Sequence, residues 1–375
     1  MTTSKNLTVS IIGTKGYPYV YGGYETLIKE LSERLIKLNC EVTVYCHRGL
    51  FSERPKSVNG IKLVYVPGPE SKALSQLVHS FLSMVHACFS KTDVILVVNP
   101  ANGPMGLISK LFRKPTAINM DGLEWLRPKW KGFPALYYRF AVRTALVFYD
   151  ALINDAEAMR QIYLKKFKKD STVIAYGGNL QFSSNPELIK SWDLQEREYY
   201  LIVGRLIPDN NADILIKGFL ASNSERKLVV VGDVFYKDAY ADSLKSLKDD
   251  RLIFTGYVYD SQTLAELYHN CYAYLHGHEF GGTNPTMIKA MAYGTAIIAL
   301  NTVFNKEMLS EDLHGLYFEK NEDSACQLIE YAENNPNKII ALRKTSQQGI
   351  TNRYNWHYIT QQYLHLFKKL KDKKS

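Results

Sequence analysis

The sequence has few cysteines and no long apolar run. Five cysteines are scattered over 375 residues, and none forms a C-x-x-C pair, so neither a disulfide framework nor a cysteine-based metal site is indicated. No apolar stretch reaches the ~18–20 residues that a membrane-spanning helix needs. Residues 1–6 lack the pattern of a signal peptide. We therefore expect a cytoplasmic protein with reduced thiols.

Acidic residues are outnumbered by basic ones, 37 to 46, which gives a formal net charge of +9. Such a charge suits nucleic acid, anionic lipid or acidic small ligands. Cations interleaved with aromatic residues in 127–143 favour a helix that lies on an anionic membrane surface, although an ordinary solvated helix face remains an alternative. For the basic tail, residues 367–375, an ordinary solvated helix face is favoured over a membrane contact. Nucleic-acid binding is disfavoured because no basic recognition helix or stacking motif is present.

The length of the chain indicates about two domains. Apolar strand patterns alternate with helical patterns from residue 7 to 175 and again from 199 to 300, and the polar stretch 179–198 interrupts this alternation. Alternation of this kind predicts parallel sheets covered by helices on both faces. The fold class is therefore α/β, with two Rossmann-like doubly wound domains at 1–192 and 193–352. An amphipathic helix and basic tail follow at 353–375.

Glycines and polar residues follow the strands of both predicted domains, at the edge where open α/β sheets bind ligands. The glycine loop of residues 13–25 is not G-x-G-x-x-G, and no acidic residue ends the second strand, so NAD binding is disfavoured. Asp121 follows another strand, with an Asx turn to Gly122 as the structural alternative. In the second domain, Arg205 follows Gly204, and its planar guanidinium suits phosphate.

Residues 276–294 join a buried strand to a helix through a Gly-Gly-Thr-Asn turn. Pro285 stands in the first helical turn, where a missing N–H costs nothing. The free N–H groups and the helix dipole make such a turn a seat for phosphate, unless it is an ordinary strand-to-helix connection. His276 and His278 have no acidic or cysteine partner at a ligand-like spacing, so no metal site is predicted.

Seven motifs occur in order along nearly the whole chain. They are Gly13-Thr14-Lys15-Gly16-Tyr17-Pro18, Tyr21-Gly22-Gly23-Tyr24-Glu25-Thr26, Asp121-Gly122-Leu123-Glu124-Trp125, Val203-Gly204-Arg205-Leu206, Val231-Gly232-Asp233, Phe254-Thr255-Gly256-Tyr257, and His276-Gly277-His278 with Gly281-Gly282-Thr283-Asn284-Pro285. Together they resemble the retaining glycosyltransferase family 4, of GT-B architecture. Within it, they are most similar to bacterial rhamnosyltransferases of capsule and cell-wall polysaccharide synthesis.

The resemblance implies two domains that face each other across a cleft, with the C-terminal helix packed back on the N-terminal domain. It implies transfer of L-rhamnose from dTDP-L-rhamnose, with retention of configuration, to a polyprenyl-diphosphate-linked glycan at the inner face of the cell membrane. The N-terminal domain would bind the acceptor and the C-terminal domain the nucleotide sugar. Neither a metal nor another cofactor is implied.

The site residues follow from the motifs and the resemblance together. We expect Asp121 and Arg205 to be catalytic. Donor-binding residues are Gly16, Gly22, Gly23, Arg205, Asn210, Gly232, Gly281, Gly282, Thr283, Asn284 and Lys289. Acceptor-binding residues are Tyr17, Tyr24, Glu25, Glu124 and Trp125.

Two positions depart from the family pattern. Asn210 replaces a common lysine, as in the rhamnosyltransferase subgroup. Lys289 replaces the glutamate that usually holds the nucleotide ribose, and an ammonium cannot accept hydrogen bonds from ribose hydroxyls. Either Glu279 or another group holds the ribose, or the donor is another nucleotide sugar such as a UDP- or GDP-hexose, or the activity is reduced. A catalytically weak partner subunit with a GT-B-like fold is therefore the alternative function.

Overall fold

The protein, described here by a computed structural model over residues 6–18, 22–69, 72–122 and 132–373, divides into two compact units. The N-terminal unit comprises Met1–Tyr176 together with Trp356–Ser375, and the C-terminal unit comprises Gly177–Asn355. Each unit contains a parallel sheet flanked by helices, so the predicted α/β class with two Rossmann-like domains is confirmed. None of the helices in the described ranges is both long and apolar enough to cross a bilayer.

The N-terminal unit alternates strands and helices along the chain. Its elements are β1 (Thr8–Ile12), α1 (Gly23–Lys37), β2 (Glu41–His47), β3 (Ser57–Val58), β4 (Ile61–Val66), α2 (Lys72–Phe89), β5 (Val94–Val97), α3 (Gly106–Leu111), β6 (Thr116–Asn119), α4 (Phe133–Phe148), β7 (Ala151–Asn154), α5 (Glu157–Phe167) and β8 (Thr172–Val173). The strand order is β3-β4-β2-β1-β5-β6-β7-β8, and in the described part of the sheet the short β3 is the antiparallel strand. Central strands such as β5 are buried throughout, which explains their continuous apolar sequence.

The C-terminal unit has the same organisation. Its elements are β9 (Tyr199–Val203), α6 (Ala212–Ala221), β10 (Lys227–Val231), α7 (Ala239–Lys245), β11 (Leu252–Gly256), α8 (Ser261–Asn270), β12 (Ala273–His276), α9 (Pro285–Ala292), β13 (Ala296–Leu300), α10 (Val303–Met308), β14 (Gly315–Phe318), α11 (Glu322–Asn334) and α12 (Pro336–Asn352). The strands are parallel, in the order β11-β10-β9-β12-β13-β14. The carboxyl ends of β9, β10 and β12 therefore meet at one edge.

The last helix, α13 (Trp356–Asp372), belongs to the N-terminal unit, as expected. Trp356, Tyr363 and Phe367 are buried at helical spacing and join the core formed by α1 and the central strands. The hydroxyl of Tyr363 donates to Asn119, at the end of β6, over 3.3 Å, and the Asn119 amide donates back over 3.0 Å. The C-terminal helix thus stabilises the end of the strand that leads to Asp121.

The boundary between the units lies at Tyr176 and Gly177, sixteen residues before the predicted boundary at 192 and 193. The polar stretch after Gly177 packs on the C-terminal unit because Glu266 of α8 binds it. This buried carboxylate accepts hydrogen bonds from the Ser183 hydroxyl (2.6 Å) and from the backbone N–H groups of Ser184 and Asn185 (both 2.7 Å). A buried carboxylate, together with hydrogen bonds such as that from Gln262 to Ser184, therefore anchors a segment with a linker-like composition.

Replacing Glu266 with glutamine is expected to lower the free energy of unfolding at neutral pH by about 2–3 kcal/mol, because an amide NH₂ then faces buried donors. Burial raises the pKa of Glu266, but hydrogen bonds from Ser183, Asn185 and Ser184 outweigh it and leave the pKa below its ordinary value of 4.5. This stabilisation is therefore present above pH 4.5 and is lost as the pH falls through the lower folded-state value.

The measurement is the melting temperature of the wild type and of Glu266→Gln as a function of pH. The difference between them should be largest at neutral pH and should shrink in acid. Glu187→Gln, which removes an exposed carboxylate of the same segment, serves as the control and should cost less than about 0.5 kcal/mol. Equal effects of the two substitutions would contradict a special role for Glu266.

Candidate active site

The glycine loop after β1 is shaped by close backbone packing. Gly13 and Gly16 have φ angles of +100° and +128°. A Cβ atom on Gly13 would lie 2.5 Å from the Val98 carbonyl oxygen, and one on Gly16 would lie 2.9 Å from the Cys46 sulfur. Gly16 is therefore needed for packing inside the N-terminal unit, whatever its predicted part in donor binding.

The start of α1 differs from this packed loop. Gly22 is the residue that caps α1, and it supplies no side-chain oxygen to the first turn. Gly22 and Gly23 are half-buried, and a Cβ atom on Gly22 would find only the Glu25 carboxylate, at 3.4 Å. These two predicted donor-binding glycines thus lie at a helix N-terminus without a side-chain cap, which is the arrangement that favours an anion.

The predicted acceptor-binding residues of this loop have structural partners. Tyr17 is 1% exposed in the core of the unit, and its hydroxyl donates to Glu33 and accepts from Asn59, both over 2.8 Å. A buried ring with these two partners does not present itself to an acceptor, so we correct this assignment: Tyr17 is a core residue. Glu25 is also buried and accepts from the Lys15 backbone N–H over 3.3 Å.

Three further residues were predicted to bind the acceptor: Tyr24, Glu124 and Trp125. Tyr24 is half-buried and packs against the core of its unit. Glu124 and Trp125 lie outside the described residues.

Asp121 lies just beyond the carboxyl end of β6 and is half-buried. Tyr176 donates its hydroxyl to the Oδ2 atom of Asp121 over 2.7 Å. Burial raises the pKa of Tyr176 well above its ordinary value, and the nearby Asp121 raises it further, so the phenol stays protonated and donates to the carboxylate. Asp121 is thus a carboxylate at the ligand edge of the sheet whose orientation Tyr176 fixes.

Glycines line the matching edge of the C-terminal unit. The Gly204 N–H donates to the Val231 carbonyl over 3.0 Å, and the Gly232 N–H donates to the Gly256 carbonyl over 2.8 Å. Gly232 has a φ angle of +119°, and a Cβ atom on it would lie 2.0 Å from the Gly204 carbonyl oxygen. The three motifs that contain these glycines therefore form one continuous rim, and Gly232 is a structural requirement of that rim.

Arg205 extends from this rim into solvent. Its side chain is exposed, and none of the ion pairs found within the described ranges involves its guanidinium. Asn210, predicted to bind the donor, instead donates from its side chain to the Arg205 carbonyl oxygen over 2.8 Å. Asn210 thus fixes the backbone that presents the exposed guanidinium.

The turn before α9 packs directly against the Arg205 segment. The Glu279 N–H donates to the Asp209 carbonyl over 3.1 Å, and the Asn211 side chain donates to the Gly277 carbonyl over 2.8 Å. A Cβ atom on Gly204 would lie 3.1 Å from the ring of His278. The strand-to-helix turn and the Gly-Arg motif are therefore neighbours, as the interpretation as a phosphate site requires.

The N–H groups of this turn are not equally available. Asn284 caps α9 by accepting from the Thr286 N–H over 3.0 Å, while its own N–H donates to the Met308 sulfur over 3.2 Å. We therefore correct the prediction that the Asn284 N–H serves a ligand, since it already has an acceptor. Gly281, with a φ angle of +122°, and the buried Gly282 and Thr283 complete the turn.

Lys289 lies on α9, five residues after the capping Asn284. Burial lowers the pKa of its ammonium, although the side chain as a whole is exposed. None of the ion pairs in the described part of the chain involves it. Glu279, the alternative ribose partner, is ion-paired with Lys320 at 2.5 Å. Helix α9 thus carries a lysine, with a lowered pKa, where the family pattern has a glutamate.

The two histidines of the turn pack against each other. His276 is fully buried beside the Tyr274 hydroxyl (3.0 Å), and its ring stacks on His278 with centroids 4.5 Å apart. Burial, and then the neighbouring His278, lower the pKa of His276 well below its ordinary value, so the imidazole is neutral. Over the described ranges, no group of three or more metal-ligating side chains occurs.

Sequence reasoning missed an aromatic pair at the same edge. Phe235, two residues after Asp233, stacks on Tyr257 with ring centroids 4.4 Å apart and an interplanar angle of 6°. Tyr257 donates its hydroxyl to the Asp233 carbonyl over 2.7 Å, which holds the pair beside Gly232. The only signal in the sequence was an aromatic residue shortly after each of two glycine motifs.

Two protein-family descriptions match the chain in succession. The model for Glycosyltransferase Family 4 matches residues 21–181, and the model for Glycosyl transferases group 1 matches residues 184–351. Together they cover most of the sequence. The chain is a glycosyltransferase with the GT-B fold. None of the curated proteins that were compared with the sequence matches it.

Several solved structures share this fold over nearly their whole length. Sucrose-phosphate synthase from Thermosynechococcus elongatus is 17% identical with a TM-score of 0.79, covering 97% of this chain and 99% of that one. HepE of Anabaena in complex with UDP is also 17% identical, with a TM-score of 0.76 and coverage of 97% and 100%. A glycosyltransferase from Rickettsia africae is 15% identical, with a TM-score of 0.75 and coverage of 98% and 99%.

Proposed function

We propose that this glycosyltransferase moves L-rhamnose from dTDP-L-rhamnose to a lipid-diphosphate-linked glycan, with retention of configuration, in bacterial surface polysaccharide synthesis at the inner face of the cell membrane. One observation carries the nucleotide-sugar part of the proposal. Arg205 presents an exposed guanidinium without an ion-pair partner among the described residues, at the carboxyl edge of the C-terminal sheet. The motifs of the chain, through their resemblance to rhamnosyltransferases, support the sugar and the acceptor.

The chemistry requires stabilisation of the leaving diphosphate. As the sugar develops oxocarbenium character, negative charge grows on the phosphate oxygens, and fixed donors aimed at that position lower the barrier. Arg205 can hold two phosphate oxygens at once. The turn of Gly281 and Gly282, next to Arg205, adds a helix N-terminus, and Lys289 adds a second cation with reduced solvation. We propose that these groups act without a metal ion.

The stacked pair of Phe235 and Tyr257 suits the nucleobase. The side chain of Phe235 is 66% exposed, so one face of the pair is open to a planar ring. Stacking on aromatic side chains contributes about 1–3 kcal/mol per base and tolerates different bases. The pair therefore supports nucleotide binding at this edge but does not select dTDP over UDP.

Asp121 is our candidate for the acceptor side of the reaction. Its carboxylate, oriented by Tyr176, can accept a hydrogen bond from a sugar hydroxyl at the ligand edge of the N-terminal sheet. A hydroxyl held in this way is fixed in orientation. Fixing the orientation of a reacting group lowers the activation barrier of a two-substrate transfer.

A UDP-hexose is the second candidate donor. Structures of HepE from Anabaena contain UDP and UDP-glucose, and that protein shares the fold of this chain. Lys289 favours neither donor. It replaces the carboxylate that would accept hydrogen bonds from the ribose, and its ammonium can only donate, to phosphate or to other hydrogen-bond acceptors. The same residue motivates the alternative of a catalytically weak partner subunit.

A donor screen separates these candidates. A nucleotide sugar that binds the native state stabilises it by about 2.7 kcal/mol at a hundredfold excess over its Kd, and so raises the melting temperature. We expect dTDP-L-rhamnose to stabilise the protein more than UDP-glucose or GDP-mannose, and to yield a glycosylated product with a lipid-diphosphate-linked acceptor. Stabilisation by UDP-glucose alone would replace the donor. Binding of a donor without product from any acceptor would favour the partner subunit.

A further inference from the structure

The outer surface of α2, α3 and α4 in the N-terminal unit is unusually apolar. On α2, the side chains of Phe81, Leu82 and Phe89 are exposed and lie on one side of the helix, with Phe89 74% exposed. This helix covers the sheet with its other side, where Met84 and Ala87 are fully buried. The helix therefore has an apolar face toward solvent in addition to its apolar face toward the core.

The neighbouring helix α3 continues this surface. Leu107 and Leu111, one helical turn apart, are both exposed, and Leu111 is 74% exposed. Phe112 follows directly, and its ring meets that of Phe89 edge-to-face with centroids 4.9 Å apart. The apolar surfaces of α2 and α3 are therefore contiguous.

Helix α4 completes the surface, which we call the α2–α4 face. Leu136, Phe140 and Val147 are exposed along one side of α4. Lys110 of α3 donates to the Val147 carbonyl oxygen over 3.0 Å, which joins the two helices. Isolated exposed apolar residues are normal, but a contiguous set across three adjacent helices marks an interaction surface.

The charges of this face have one sign. The segments 72–89, 106–111 and 133–148 contain no aspartate or glutamate, in a chain with 37 of them. Exposed cations stand among the apolar residues: Lys110 and Arg113 at α3, and Arg139 and Arg143 on α4. The face is therefore apolar and cationic together.

Among the described residues, the carboxylates nearest to these helices in the sequence are the half-buried Asp93 and the exposed Asp150, and both have partners within the unit. Asp93 binds the Thr8 N–H over 2.9 Å and Lys371 over 3.0 Å, and Asp150 binds the Thr116 N–H over 2.9 Å. They neutralise backbone and side-chain donors of the unit itself. The exposed cations of the face therefore keep their attraction for an external anion.

We propose that the α2–α4 face lies on the surface of an anionic phospholipid bilayer. Its apolar side chains would enter the boundary between headgroups and acyl chains, and Lys110, Arg113, Arg139 and Arg143 would meet the headgroup phosphates. A second copy of this chain is a poor occupant, because a symmetric contact would bring these cations together without a carboxylate on the three helices to pair with them.

This surface refines the membrane contact expected from residues 127–143. Of that segment, residues 132–143 belong to the described part and end within α4, whereas 127–131 lie outside it. The structure adds α2 and α3, whose apolar residues are separated from α4 in the sequence. Membrane binding itself does not depend on the proposed function. Its biological role does, because the membrane would bring the enzyme to its lipid-linked acceptor.

Co-sedimentation with vesicles tests the inference. We expect the full chain to bind vesicles that contain about one third phosphatidylglycerol, to bind pure phosphatidylcholine far more weakly, and to dissociate as salt rises. Arg139→Glu and Arg143→Glu, which reverse the charge, should each weaken vesicle binding by at least about fivefold. The double variant Leu111→Glu, Phe140→Glu should weaken it by at least about tenfold, since it removes apolar insertion and adds repulsion.

Ile340→Glu is the matched control, because Ile340 is an exposed apolar residue on α12 of the C-terminal unit. It should bind vesicles like the wild type. The melting temperature and nucleotide binding of every variant, measured without vesicles, show that the fold and the proposed donor site are intact, so a failure of either proposal is seen separately. Absence of wild-type binding, or equal loss in Ile340→Glu, would overturn the inference. So would a wild-type dimer that the double variant makes monomeric while vesicles bind neither protein.

Discussion

Replacing Arg205 with alanine is expected to weaken the binding of a nucleoside diphosphate by about 30- to 100-fold, or about 2–3 kcal/mol. The guanidinium is exposed and has no ion-pair partner among the described residues, so its removal takes away phosphate contacts without leaving a buried charge unpaired. The melting temperature without nucleotide should therefore stay close to that of the wild type. Isothermal titration calorimetry with dTDP and with UDP is the measurement.

Two further variants show whether the effect is specific. Arg205→Lys keeps the charge but loses the planar fork, so it should recover only part of the lost affinity. Lys344→Ala removes an exposed cation from α12 of the same unit and should leave the affinity unchanged, which excludes a general effect of net charge. If Arg205→Ala binds both diphosphates like the wild type, the phosphate site does not include this residue.

Replacing Asp121 with asparagine is expected to reduce kcat by about 100-fold while nucleotide affinity stays the same. Asparagine retains the size of the side chain and can still accept from the Tyr176 hydroxyl, so the local structure should persist. It loses the negative charge that accepts a hydroxyl proton or stabilises a developing positive charge on the sugar, and positioned acid–base groups contribute about 10²–10⁴ in rate. Steady-state kinetics with the donor and acceptor found in the screen give the value.

Tyr176→Phe distinguishes catalysis by Asp121 from a structural role. Without the phenol, the Asp121 carboxylate is kept but loses the 2.7 Å hydrogen bond that orients it, so kcat should fall by only about tenfold. A purely structural Asp121, acting through an Asx turn, predicts instead that Asp121→Ala lowers the melting temperature, and that Asp121→Asn, which can form the same turn, leaves kcat nearly unchanged. The two readouts, stability and turnover, therefore point in opposite directions.

The two Rossmann-like units could be predicted well from sequence because their signals are local. Buried parallel strands such as Val94–Val97 and Tyr199–Val203 are continuous apolar runs, and each is followed by a glycine or polar turn and a helical pattern. The shorter elements were harder to predict. Strand Gly315–Phe318 and helices α3, α7 and α10 have four to seven residues each, too few for a clear period.

The domain boundary and the roles of single residues depended on long-range contacts. Residues 183–185 have the composition of a linker, and hydrogen bonds with Glu266 and Gln262, more than seventy positions away, attach them to the C-terminal unit. Tyr17 belongs to a motif that suggested a ligand, but Glu33 and Asn59 hold its hydroxyl in the core. Neither contact could be predicted from the local sequence.

The sequence by itself determined the fold class and the membership in the glycosyltransferases, and it predicted a ligand edge after Gly204, Gly232 and residues 276–284. These properties follow from local periodicity and from turns that need glycine. Only the tertiary structure decided which groups are available there, because availability depends on partners that are distant in the chain. Arg205 is exposed, the Asn284 N–H donates to the Met308 sulfur, and burial lowers the pKa of Lys289.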